Sequence, residues 1–194
     1  GDVYKRQTND TASVSENQTI SIDALANDTD VDDGAALSID SAFSSKGLTT
    51  TDGSTVKFTA NDDFDYLAVG QSTSETISYT VKDEYGATDS ASIATTITGV
   101  NDAPVGNDDT ASVLENESIS INALANDTDV DNGAVLSVDS ASSARGDTSI
   151  NGSEVNFTAN SDFDYLAEGQ ITSETIAYTV KDEYGATDSA SIAT

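Results

Sequence analysis

Hydrophobic side chains recur at every second position along most of this chain. The clearest case is Thr76 to Lys82, where Ile77, Tyr79 and Val81 share one face and Thr and Ser occupy the other. A period of two is the signature of a half-buried strand. Thr11 to Ser15 reads as a short first strand. Gln18 to Asp23 follows with Ile20 and Ile22, then Leu37 with Ile39, then Val56 with Phe58. After Lys82, Asp83-Glu84-Tyr85-Gly86 is a hairpin connection with its glycine late, and Thr88 to Thr98 returns with Ala91, Ile93 and Ile97 inward. Ser44 to Asp52 is polar and poorly patterned. No stretch has a helical period. About six or seven strands per pattern predict an all-β, antiparallel sandwich.

The whole pattern occurs twice. Residues 11–95 align without a gap on 110–194, and most positions are identical. The second copy gives Ile119 and Ile121, Leu136 and Val138, Val155 and Phe157, and Ile176, Tyr178 and Val180. A period near a hundred residues is too long for a solenoid unit and suits a complete domain. The predicted organisation is repeat 1 over 8–100, a linker over 101–107 and repeat 2 over 108–194. Pro104, the single proline, stiffens that linker, which is expected to hinge when no cation is bound. Residues 1–7 match nothing at the corresponding place before copy 2. They read as a foreign or mistranslated junction, a divergent natural terminus being the alternative. Copy 2 stops at Thr194, the match of Thr95, so its last strand is expected to be cut short.

Charge narrows the function. The 194 residues include 35 Asp and Glu but only 7 Lys and Arg, a net charge of -28. Phosphate backbones need the opposite sign, so nucleic acid is excluded as a partner, and so is a polybasic membrane contact. There is no apolar run long enough to cross a bilayer. Without Cys there is no disulfide framework, and without His the commonest neutral-pH acid–base group and zinc ligand is missing. No signal peptide is visible, as expected of an internal piece of a longer chain.

The charge concentrates in one loop. Asn27-Asp28-Thr29-Asp30-Val31-Asp32-Asp33-Gly34 returns as Asn126-Asp127-Thr128-Asp129-Val130-Asp131-Asn132-Gly133. Carboxylates this close repel and call for water, salt or a cation. A hard cation such as Ca²⁺ takes about six to eight oxygens of the carboxylate, amide and carbonyl kind. If extended, the loop points Asp28, Asp30 and Asp32 the same way. The glycine falls too late for an EF-hand, and Ile39 stands where its last glutamate belongs. An over-acidic solvated turn is the alternative. Paired carboxylates also serve glycosidases, but no nucleophile elbow, phosphate loop or marked apolar cleft accompanies them.

Four blocks in order carry a resemblance. They are Leu25-Ala26-Asn27-Asp28-Thr29-Asp30-Val31-Asp32, Phe64-Asp65-Tyr66-Leu67-Ala68, Tyr79-Thr80-Val81-Lys82-Asp83, and Ile97-Thr98-Gly99-Val100-Asn101-Asp102-Ala103-Pro104. They resemble the VCBS and related cadherin-like repeats of large bacterial surface adhesins, including RTX-type extender modules. The resemblance implies two tandem Ig-like or cadherin-like β-sandwich modules, extracellular display on a bacterial surface, and calcium held at the junction between neighbouring modules. It implies as ligands Glu16, Asp65, Asn101 and Asp102 from one side and Asp129, Asp131 and Asp182 from the next, to which the loop's own chemistry adds Asp127. Asp30, Asp32 and Asp83 are their copy-1 equivalents. Asp65 is followed by Tyr66 and Leu67, so the second acid of the usual Asp-Arg-Glu motif is missing. The expected function is a non-enzymatic calcium-binding extender or adhesion module, with neighbouring repeats as partners. The alternatives are a Ca²⁺-dependent glycan- or protein-binding module and a glycosidase accessory fragment.

Overall fold

A computed structural model describes residues 6–32 and 34–194. Residues 1–5 of the unmatched opening heptad lie outside the described residues. The chain divides into two compact units, Gly1–Val100 and Asn101–Thr194.

In unit 1 the strands are β1 (Asp10–Ser15), β2 (Thr19–Ile22), β3 (Ser38–Phe43), β4 (Leu48–Thr51), β5 (Val56–Thr59), β6 (Ser72–Lys82) and β7 (Thr88–Thr98). They form two sheets, ordered β1-β7-β6-β3 and β2-β5-β4. Between the sheets lie Val56, Phe58, Ile77, Val81, Ile93 and Ile97, each fully buried. Each such side chain contributes roughly 1.5–3 kcal/mol by leaving water. Phe58 meets Phe64 edge to face, with ring centroids 6.2 Å apart.

Unit 2 repeats the plan with β8 (Asp109–Thr110), β9 (Ser118–Asn122), β10 (Ser137–Ser143), β11 (Asp147–Asn151), β12 (Glu154–Thr158), β13 (Thr175–Lys181) and β14 (Thr187–Ala193). Its sheets are β10-β13-β14-β8 and β11-β12-β9. Its core repeats that of unit 1, with Val155, Phe157, Ile176, Val180 and Ile192.

Three features depart from the sequence reading. The poorly patterned stretch Ser44 to Asp52 holds β4, which pairs with β5 from Leu48↔Thr59 to Thr51↔Val56. Its threonines are polar but β-branched, so they suit an edge strand whose faces are only half covered. The hairpin β6–β7 is longer than predicted, in register from Ser72↔Thr98 to Lys82↔Thr88. The sandwich is also not wholly antiparallel, because β1 runs parallel to β7 from Asp10↔Ile93 to Ser15↔Thr98. First and last strands that lie side by side in the same direction bring the chain in at one pole of the unit and out at the other. Gly34 and Gly133 end the acidic loops with φ of 79° and 85°, a conformation that disfavours side chains with a Cβ.

Candidate cation-binding loops

Each acidic loop is fixed from below by a leucine and from the side by a backbone bridge. Leu25 and Leu124 pack against their cores. Val105 and Thr128 exchange hydrogen bonds of 2.7 and 3.0 Å, and Arg6 and Thr29 do the same at 2.8 and 3.0 Å. Arg6 therefore takes Val105's place although the two heptads share no sequence. A backbone bridge does not read side chains, which explains the substitution.

The first carboxylate of each loop faces a tyrosine. Asp28 accepts from the Thr8 N–H at 2.9 Å and from the Tyr79 hydroxyl at 3.3 Å. The same hydroxyl lies within reach of Asp10 Oδ2 at 3.0 Å and the Ala24 carbonyl at 3.1 Å. In unit 2, Asp127 accepts from Asn107 N–H at 2.7 Å and from Tyr178 at 3.0 Å, beside Asp109 and the Ala123 carbonyl. One phenolic proton meets more acceptors than it can serve. Burial, then the neighbouring carboxylates, push both tyrosines far up. Burial also raises Asp28 and Asp109 above the ordinary carboxylate range. Asp127, predicted as a ligand, thus has a structural partner that the sequence did not reveal. The condition for the three carboxylates to point the same way, an extended loop, is not met among the described residues. Asp30 Oδ1 and Asp129 Oδ1 instead accept from the N–H two residues on, Asp32 at 3.0 Å and Asp131 at 2.9 Å.

The rest of the unit 2 loop gathers acids. Asp102 donates its N–H to Asp131 Oδ2 at 3.1 Å, and carboxylate oxygens of the two residues approach within 4.8 Å. Asp131 is 6% exposed. Its Oδ1 and the Oδ2 of Asp129 are buried without a hydrogen-bond partner among the described residues. Burial, opposed by the Asp102 N–H and reinforced by Asp129, Glu183 and Asp182, raises the Asp131 carboxyl. Asp182 behaves in the opposite way. Its Oδ1 caps the β13–β14 turn by accepting from Tyr184 and Ala186, and its Oδ2 accepts from Asn101 at 2.7 Å. Burial opposes ionisation, but these bonds outweigh it and hold the carboxyl below its usual range. Asp83 caps the β6–β7 turn in the same way.

Unit 2 thus brings together Asn101, Asp102, Asp129, Asp131 and Asp182. The predicted linker is bonded to this unit along its length, through Asn101, Asp102, Val105, Gly106 to Asp188, and Asn107. In unit 1, Glu16 is 1% exposed, and its Oε1 accepts the Val100 N–H at 2.6 Å. The left-handed Asn17, φ 61°, turns the chain just after it. Asp65 Oδ1 is buried without a hydrogen-bond partner among the described residues. The sequence also gave no sign of Glu75 and Glu174. Each accepts backbone N–H groups of the turn between its unit's third and fourth strands, Ser45 and Lys46 or Ala144 and Arg145. Their presence at matching positions of both copies was the available signal.

A family model described as Bacterial Ig domain matches residues 5–96 and again 101–194. The chain belongs to the bacterial Ig domain family. Both Ig domains coincide closely with the two structural units, and residues 101–107 fall inside the second. No curated protein matches the chain. Among solved structures, the chain is similar to EC1-2 of a human mucin-like protocadherin at 15% identity and a TM-score of 0.50, covering 98% of this chain and 96% of that one. It also aligns with the protocadherin GammaB4 extracellular domain at 17% identity and a TM-score of 0.46. That alignment covers 97% of this chain and 34% of the other, so the chain spans about a third of that structure. At 15% identity the likeness to the mucin-like protocadherin is one of fold.

Proposed function

We propose that the two Ig domains are calcium-binding extender modules of a bacterial surface adhesin, of the VCBS-like repeat type, displayed outside the cell and non-catalytic. In this reading Asp102, Asp129, Asp131 and Asp182 hold Ca²⁺ with Asn101. Glu16 and Asp65 complete the set from the preceding module. Asp30, Asp32 and Asp83 are the matching set of copy 1. Calcium supplies the positive charge these oxygens lack and ties consecutive modules into a stiffer rod.

The observation that carries the reading is Asp131. It is a buried carboxylate with an unpartnered oxygen, held against a second carboxylate. Such a group is expensive unless protonated or bound to a cation.

Calorimetric titration of the metal-free chain with Ca²⁺ tests binding, with Asp131→Asn as the control. Heat in the parent and its loss or strong weakening in the variant are expected. X-ray scattering in Ca²⁺ and in EDTA tests stiffening. No heat, or heat that Asp131→Asn leaves unchanged, overturns the reading.

A further inference from the structure

The two units differ at one hairpin, β4–β5 in unit 1 and β11–β12 in unit 2. In unit 1 the turn reads Asp52-Gly53-Ser54-Thr55, and the last rung before it is Thr51↔Val56. Asp52 Oδ1 accepts the N–H groups of Ser54 at 3.0 Å and Thr55 at 2.8 Å, and both of their hydroxyls. These bonds, that of the Thr55 N–H first, hold the carboxyl well below its usual range. The Gly53 N–H is occupied as well, donating to Thr51 Oγ1 at 3.1 Å.

Unit 2 has Asn151-Gly152-Ser153-Glu154 at this place, preceded by Ile150. Its ladder closes one rung further, at Asn151↔Glu154, and leaves Gly152 and Ser153 as a two-residue turn. Ile150 has no hydroxyl, so the acceptor that holds the Gly53 N–H in unit 1 is gone. Among the described residues, neither the Asn151 amide nor the Gly152 N–H has a hydrogen-bond partner. Asn151, Gly152 and Ser153 are all exposed. Gly152 has a φ of 67°, with open space where a Cβ would stand. A side-chain amide carbon thus precedes a free peptide nitrogen, and no side chain obstructs their approach.

We infer that Asn151 is a site of spontaneous deamidation. The Gly152 nitrogen attacks the Asn151 side-chain carbonyl carbon while its proton leaves to water. The new N–C bond closes a five-membered imide, the bond to the side-chain nitrogen breaks, and ammonia departs. Water then opens the ring at either carbonyl, leaving a carboxylate as aspartate or isoaspartate. The other Asn-Gly pair, Asn132-Gly133, stands in the acidic loop, where neighbouring carboxylates disfavour the anionic nitrogen that attacks. The product changes the turn. Its carboxylate faces Glu154 across the closing rung, and like charges directly opposite each other destabilise a strand pair. It also supplies the charged acceptor that Asp52 supplies in unit 1, and charged acceptors make the stronger hydrogen bonds. Both effects draw the two-residue turn towards the longer, acid-capped turn of unit 1.

The test is ageing of the full chain at physiological temperature and mildly alkaline pH, followed by peptide mapping in a mass spectrometer. Conversion at Asn151 is expected ahead of Asn132, and at the same rate in Ca²⁺ and in EDTA. Ile150→Thr, which restores the hydroxyl of unit 1, should slow it about two- to ten-fold, the worth of one hydrogen bond. Asn151→Gln should stay intact over the same period, because its ring would need six members. Asn151→Asp should lose exchange protection at the Glu154 N–H, the closing rung. An Asn151 amide that survives conditions converting the chain in denaturant overturns the proposal. So does a rate that Ile150→Thr leaves unchanged, or conversion of Asn132 first.

Discussion

Tyr178 and Asp127 form a buried hydroxyl–carboxylate contact, 3.0 Å from Oη to Oδ1. It joins the central strand β13 to the first acid of the loop, and the same contact recurs between Tyr79 and Asp28. Removing the hydroxyl leaves a carboxylate and a carbonyl short of a donor. Tyr178→Phe is expected to destabilise unit 2 by about 1–3 kcal/mol, measured by urea denaturation of the full chain in EDTA. An unchanged midpoint would show that water serves the same acceptors.

Acidity should act in two opposite senses on the metal-free protein. Asp28, Asp109 and Asp131 are raised, first by burial. A raised acid weakens the fold at neutral pH and ceases to do so as pH falls through its folded value. Asp182 is lowered, despite its burial, by its bonds to Asn101 and to the turn backbone. Its contribution is present above about pH 4 and is lost as pH falls through its own lower value. Stability in EDTA is therefore expected to rise as pH falls from neutral towards the ordinary carboxylate value, about 4, and to fall again below it. A monotonic decline with acid would contradict the raised group, and denaturation midpoints at a series of pH values decide it.

Gln7 occupies the place of Gly106, and its amide oxygen and nitrogen are both buried without a hydrogen-bond partner among the described residues. Gln7→Gly should stabilise unit 1 by about 1–2 kcal/mol, because an unsatisfied amide is removed. Gly106→Gln should do the reverse in unit 2, where a Cβ would already lie 3.1 Å from the Ala190 side chain. Thermal melts of the two variants check both signs.

Thr95 lies between Ile93 and Ile97 on the inner face of β7, fully buried, with its hydroxyl unpartnered among the described residues. Thr95→Val keeps the shape and removes the stranded oxygen. A gain of about 1 kcal/mol is expected, read from the denaturant midpoint at unchanged slope.

The strands and the duplication were legible because Ile77, Tyr79 and Val81 alternate in one copy and Ile176, Tyr178 and Val180 in the other. Strand β4 was not, since Thr49, Thr50 and Thr51 carry no apolar alternation. Their strand state comes from pairing with the next strand, whose Val56 and Phe58 point inward, and not from a pattern of their own. The parallel pairing of β1 with β7 was illegible because its partners lie at opposite ends of the unit's sequence. Within the acidic loop, composition could mark the carboxylates but not divide their roles. Asp28 and Asp127 are taken by tyrosines far along the chain, while Asp131 is left with an unpartnered oxygen. That division follows from which strand passes beneath each acid, which spacing within the loop does not encode. The linker showed its proline but not its bonds to Asp127, Asp131, Asp182 and Asp188.

The parallel pairing of β1 with β7 has a mechanical consequence. Traction on the two ends of unit 1 pulls neighbouring strands in opposite directions along their length. Force then falls on all the rungs from Asp10↔Ile93 to Ser15↔Thr98 together, in shear, rather than on one rung at a time.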